Sequence, residues 1–85
     1  MYSIAFEEEA QKEFLKLADK VRNLVGAKIV YLKNGKFSND KSLKGKHHGK
    51  YRKRAGDYRI IYLRENNILL ITIIRLAHRK EVYDK

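Results

Sequence analysis

The stretch ILLITII at residues 68–74 constrains the fold more than any other part of the chain. A strand turns successive side chains to opposite faces of its sheet. Here apolar residues occupy both sets of alternate positions, so a strand at this place is expected inside a sheet and not at its edge. As a helix the stretch falls far short of the roughly 20 residues needed to cross a bilayer. The rest of the 85 residues must therefore supply neighbouring strands and a layer to cover them.

Those elements can be read from the period of the apolar residues. Tyr2, Ile4 and Phe6 alternate with Ser3 and Ala5, which predicts a strand over residues 2–6. From Glu7 the period changes: Ala10, Phe14, Leu17, Ala18 and Val21 follow the spacing of an amphipathic helix. Glu7, Glu8 and Glu9 fall in its first turn, where carboxylates complement the helix dipole. A second helix is expected to start near Asp19 as N-cap, with Val21, Leu24, Val25, Ile29 and Leu32 as its apolar stripe. Asn34-Gly35 ends it. Gly26 lies inside this helix at a cost of about 1 kcal/mol relative to Ala, so a break or a close helix contact is expected there. Residues 36–48 are polar and without a period, and read as a loop. Three strands follow, at residues 50–55, 58–64 and 68–75, and residues 76–85 read as a short mixed tail. The order is β-α-α-β-β-β. It predicts a small two-layer α+β fold, an antiparallel C-terminal sheet packed on an N-terminal helical hairpin, in one domain over residues 1–85.

Composition narrows the chemistry. The absence of cysteine excludes disulfides, thiolate zinc sites and cysteine nucleophiles together. There is no Gly-rich phosphate loop, no Ser-His-Asp set and no dinucleotide fingerprint. His47 and His48 are adjacent, so in an extended segment they point apart, and no carboxylate cluster joins them; neither metal nor other cofactor is expected. The opening MYSIAFEEEA has neither the basic start nor the apolar run of a signal peptide, and a soluble cytoplasmic protein is expected. Net charge is +10, and residues 36–59 hold nine Lys/Arg against two Asp/Glu, whereas residues 1–35 hold six against five. Such a cluster is the electrostatic footprint of a polyphosphate partner. Acidic proteins and anionic lipids are the other partners it can serve, and a merely basic surface stays open as a reading.

Alternation puts Arg52 and Arg54 on one face of a strand, and Arg59 joins them if Tyr58, Ile60 and Tyr62 face the helices. Guanidinium groups bind phosphate oxygens in a bidentate fashion, so this is a basic patch on a rigid platform. The segment LAHRKEVYDK adds His78, Arg79 and Tyr83. If it passes beside the open face, cations, an imidazole and a phenol converge. That set suffices for cleaving RNA through its own 2′-hydroxyl, which needs a base, cations for the charge on phosphorus and an acid for the leaving oxygen, and no metal. The competing reading is a tail whose tyrosine packs on the sheet edge and whose charges are solvated. Lys44, Lys46, His47, His48, Lys50 and Lys53 are expected to add RNA contacts around the patch, although the two histidines are equally compatible with no specific role.

The ordered combination G-x-YR-x-R-x-GDYRI-x-Y, then HR-x-EVY, lies within residues 43–83 and resembles the RelE/ParE superfamily of bacterial and archaeal toxins. The preceding strand and helical hairpin match that architecture without a specific motif. The resemblance implies the toxin of a type II toxin–antitoxin pair. RelE-like members are mRNA interferases that cut messenger RNA in the ribosomal decoding site, by 2′-hydroxyl attack that leaves a cyclic phosphate. Carried over by position, the catalytic set is Arg52, Arg54, Arg59, His78, Arg79 and Tyr83. The best-studied type has lysines where Arg52 and Arg54 stand. Arginine does not deprotonate at accessible pH, so the base falls to His78, Tyr83 or Lys53. The implied partners are an acidic RelB-like antitoxin on a separate chain, the ribosome and mRNA, without membrane. Two alternatives share the fold: a ParE-like inhibitor of DNA gyrase, and a non-catalytic module that binds antitoxin or nucleic acid.

Overall fold

The computed structural model of the chain describes residues 1–43 and 49–82. A first strand, β1 (Ser3–Phe6), leads into two helices, α1 (Glu8–Lys16) and α2 (Asp19–Lys33). Four strands follow, β2 (Lys41–Ser42), β3 (Lys50–Ala55), β4 (Tyr58–Glu65) and β5 (Leu70–His78), and then a single helical turn, α3 (Arg79–Val82). The strands form one sheet in the order β1-β5-β4-β3-β2. Strands β2 to β5 are antiparallel neighbours, and β1 joins β5 in parallel. This is the expected α+β fold. The ILLITII stretch supplies most of β5, which lies between β1 and β4, as its two-sided apolar character requires. No helix among the described residues is long and apolar enough to cross a membrane.

Several local expectations are corrected. The first helix ends at Lys16, because Leu17 is extended with ψ 145°. The apolar residues Leu17 and Ala18 therefore belong to the corner between the helices. Ala18 and not Asp19 is the N-cap of α2; Asp19 is its first helical residue and pairs with Arg22. Arg22 also donates to the carbonyls of Leu15 at 3.3 Å and Leu17 at 3.0 Å, which ties the open end of α1 to α2. α2 runs unbroken through Gly26, where an added Cβ would meet no atom within 4 Å. Neither a break nor close packing uses this glycine. Gly26→Ala is expected to raise stability by about 0.8–1 kcal/mol in urea denaturation, and a loss would reveal a contact that open space does not offer.

β5 runs over Leu70–His78 and not residues 68–75. The pairing of β4 with β5 shifts register between Ile61 and Tyr62. Ile71 and Ile73 face the core, and the next buried position is Leu76. This three-residue step interrupts the strand period, which is why residues 76–78 read as tail. Lys41–Ser42, placed in a loop by sequence, pair with Arg52 and Tyr51; two residues are too few to show a period. Ala10, Val25, Ile29 and Leu32 from the helices meet Ile60, Tyr62, Ile71, Ile73 and Leu76 from the sheet in one buried cluster.

That core contains an ion pair. Lys53 Nζ lies 3.0 Å from Asp40 Oδ1, and the two side chains are only 7% and 4% exposed. The ammonium also donates to the Lys36 carbonyl at 3.2 Å, and the Tyr62 hydroxyl donates to the other Asp40 oxygen. Phe37 and Tyr51 stack on the Tyr62 ring, and the Arg64 guanidinium lies over both Phe37 and Tyr51. Burial, reinforced by the Asp40 hydrogen bond and charge, pushes the Tyr62 phenol far above its ordinary value. Above about pH 10 the unfolded tyrosine ionises while the folded one stays protonated, so this contribution is complete below that pH and falls as pH rises. Tyr62→Phe is therefore expected to remove up to about 1.4 kcal/mol per pH unit of alkaline destabilisation, read by urea denaturation from about pH 9 to about pH 11. An unchanged alkaline slope would contradict the assignment.

Candidate functional site

The register of β3 on β4 sets Arg54 opposite Arg59, and Arg52 opposite Ile61. Lys53 pairs with Ile60, and both are buried on the core side. Alternation therefore puts Arg52, Arg54 and Arg59 together on the opposite face, as expected. Arg54 is exposed and Arg52 half-buried. Arg59 departs from the expectation of an open position, since it is 5% exposed. Its Nη1 donates to the carbonyls of Gly56 and Tyr58, both at 3.1 Å. The guanidinium thus ties the turn at Gly56 to the start of β4.

The same turn holds a second arginine. The Arg79 N–H donates to the Asp57 carbonyl at 2.7 Å, and Arg79 Nε lies 3.8 Å from the Asp57 carboxylate. Asp57, in the turn between β3 and β4, thus tethers the start of α3. Gly56 has φ 63°, a region that disfavours side chains. Leu24 of α2 reaches this turn, because a Cβ on Gly56 would come within 2.9 Å of Leu24 Cδ2. Leu24, expected in the buried stripe, is nonetheless 40% exposed.

His78 ends β5 opposite Tyr58, and the two rings meet edge to face at 5.4 Å. His78 therefore reaches the turn end of the sheet on the Tyr58 side, while Arg59 alternates to the other face. Its Nδ1 accepts the Lys80 N–H at 3.2 Å, which places the proton of a neutral imidazole on Nε2. The structure gathers Arg54, Arg59 and Arg79 about one hairpin turn and brings His78 to the same end. Arginines there can hold a phosphate and offset charge building on it, but cannot exchange protons.

Of the expected RNA contacts, Lys53 is corrected: it is buried and ion-paired with Asp40, so it is not available to phosphate or as the base. Lys50 is half-buried and pairs with Leu63. Lys44, Lys46, His47, His48 and Tyr83 lie outside the described residues. Sequence reasoning missed the residues across a groove of about 960 Å³, which runs from Arg52 and Arg54 to Lys28, Tyr31, Lys36 and Lys41. Lys28 and Tyr31 stand three apart on α2 and share a helix face. That spacing was visible, but nothing in one dimension places it beside β3.

The sequence model of a family described as the ParE toxin of the type II toxin–antitoxin system parDE matches residues 4–83. No curated protein sequence matches the chain. Among solved structures, the isolated RelE toxin of E. coli is similar, with 25% identity and a TM-score of 0.79 over 98% of this chain and 92% of that one. The toxin–antitoxin complex RelBE of E. coli contains a chain at 25% identity and TM-score 0.78, over 92% of this chain and 96% of that one. YafQ of E. coli shares the fold at 18% identity and TM-score 0.76, over 98% and 99% of the two chains.

Proposed function

The chain belongs to the ParE toxin family of type II toxin–antitoxin systems, and from that premise we propose that it is a ribosome-dependent endoribonuclease that arrests translation by cutting messenger RNA. The observation that carries this reading is the arginine row on one sheet face, Arg52 and Arg54 with Arg59, ending at the turn that tethers Arg79. A preformed set of guanidinium groups suits a phosphate whose negative charge grows during attack by the neighbouring 2′-hydroxyl. In this mechanism Arg54 and Arg79 hold the phosphate oxygens, and Arg59 braces the turn between them. His78, which reaches the same turn end from the Tyr58 side, supplies the proton for the leaving 5′-oxygen as its imidazolium, a state in which Nδ1 gives up the Lys80 N–H. Tyr83, in its phenolate form, serves as the base that takes the proton from the 2′-hydroxyl. No metal takes part in this scheme.

The ribosome is in the cytoplasm, and the toxin acts there. Its inhibitor is an acidic antitoxin on a separate chain that covers the basic face, a partnership supported by the similarity to the toxin of the RelBE complex. A second reading, inhibition of DNA gyrase, is favoured by the family model, which is described for ParE. Translation in a cell-free extract, with 5′ ends mapped on the message, separates the two. New ends confined to ribosome-occupied codons are expected. Intact message, normal translation and blocked supercoiling by purified gyrase would decide for the second reading.

A further inference from the structure

We propose that Tyr31 with Lys28 and Lys36 forms a second nucleotide subsite, where single-stranded RNA leaving the arginine face stacks a base on the Tyr31 ring; this inference rests on the RNA reading above. Tyr31 is 45% exposed on α2. Lys28, Lys36 and Lys53 place their ammonium groups 5.1, 5.7 and 5.9 Å from its ring centroid. Lys53 is held there by Asp40 and the Lys36 carbonyl, so Lys28 and Lys36 are the cations left to a ligand. A nucleotide presents the complementary pair, a flat base beside an anionic phosphate, and aromatic platforms flanked by cations bind single strands in this way.

The groove supplies the path. Arg52 and Arg54 line it together with Lys28, Tyr31, Lys36 and Lys41. β2 pairs only with Tyr51 and Arg52, so among the described residues no strand covers the outer edge of β3 beyond Arg52. The groove passes round that uncovered edge from the arginines to Tyr31. Among the described residues the only acid in its lining is Asp40, whose charge is already engaged by Lys53. An acidic peptide would use the ammonium groups but not the exposed ring, and the ring favours a base.

The chain has no tryptophan, so Tyr31→Trp installs a single indole at the subsite. Its fluorescence can be titrated with a 2′-O-methyl oligonucleotide of about 12 residues, which cannot be cut through its own 2′-hydroxyl. Inorganic polyphosphate and an oligoglutamate peptide serve as anions without bases. The oligonucleotide is expected to quench the indole and polyphosphate to leave it unchanged. Tyr31→Ala is expected to weaken oligonucleotide binding by about 5- to 150-fold at an unchanged salt slope. Lys28→Ala is expected instead to lower the slope of log K against log salt by about 0.7. Absence of quenching, with unchanged affinity in a folded Tyr31→Ala protein, overturns the subsite and leaves the RNA reading standing. Failure of the wild-type protein to bind the oligonucleotide overturns the subsite, while the ribosome-dependent reading falls only if the cell-free extract shows intact message. Quenching by oligoglutamate alone overturns the subsite in favour of an acidic protein.

Discussion

Asp40→Ala is expected to cost about 3–5 kcal/mol of folding stability, because it strands the Lys53 ammonium in the core without its counter-charge. A domain of this length has a total stability of about 4–13 kcal/mol, so the variant stands near the edge of folding. The Tyr62 hydroxyl loses its acceptor in the same step. Desolvating two ions is itself expensive, so the pair is no net source of stability against an apolar replacement. The double variant Asp40→Leu with Lys53→Met is therefore expected to recover most of the loss. Urea denaturation measures both, and a cost under about 1 kcal/mol for Asp40→Ala would show that water reaches the pair. The consequence reaches the arginine face. Lys53 sits between Arg52 and Arg54 on β3, and anchoring it inward commits both neighbours to the opposite side.

Arg54→Ala is expected to lower cleavage of ribosome-bound message by about 100- to 1000-fold, the scale for removing one group that offsets transition-state charge. The melting temperature should hardly move, because Arg54 is exposed. Arg79→Ala is expected to behave alike, with half of its side chain in solvent and a backbone N–H that the substitution keeps. Arg59→Ala should differ from both by losing activity and stability together, since its guanidinium ties the turn at Gly56 to the start of β4. Single-turnover cleavage alongside thermal melting separates these patterns. Full activity in a folded Arg54→Ala protein would remove the arginine row from the chemistry.

The parts of the fold legible in one dimension were those with a long enough period. The change from alternation to helical spacing at Glu7, and the two-sided apolar run of β5, located the layers and the interior strand. Alternation along β3 likewise predicted the face shared by Arg52, Arg54 and Arg59. What escaped depends on contacts between distant residues. Asp40 is one acid in a polar loop, and only the fold reveals that it neutralises Lys53. The end of β5 was hidden by a register shift that breaks its period. The edge of β3 lies open because β2 pairs for only two residues, and Tyr31 reaches the groove beside that edge from a helix that sequence reading had assigned wholly to packing.

The central claim is that the arginine face promotes attack by the RNA's own 2′-hydroxyl. The most direct measurement offers the purified protein ribosomes programmed with two messages that differ by one 2′-deoxynucleotide at the decoding site. The account predicts a cut with a 2′,3′-cyclic phosphate end in the ribose message and none in its deoxy counterpart. Equal cutting of both, or of neither, would contradict it.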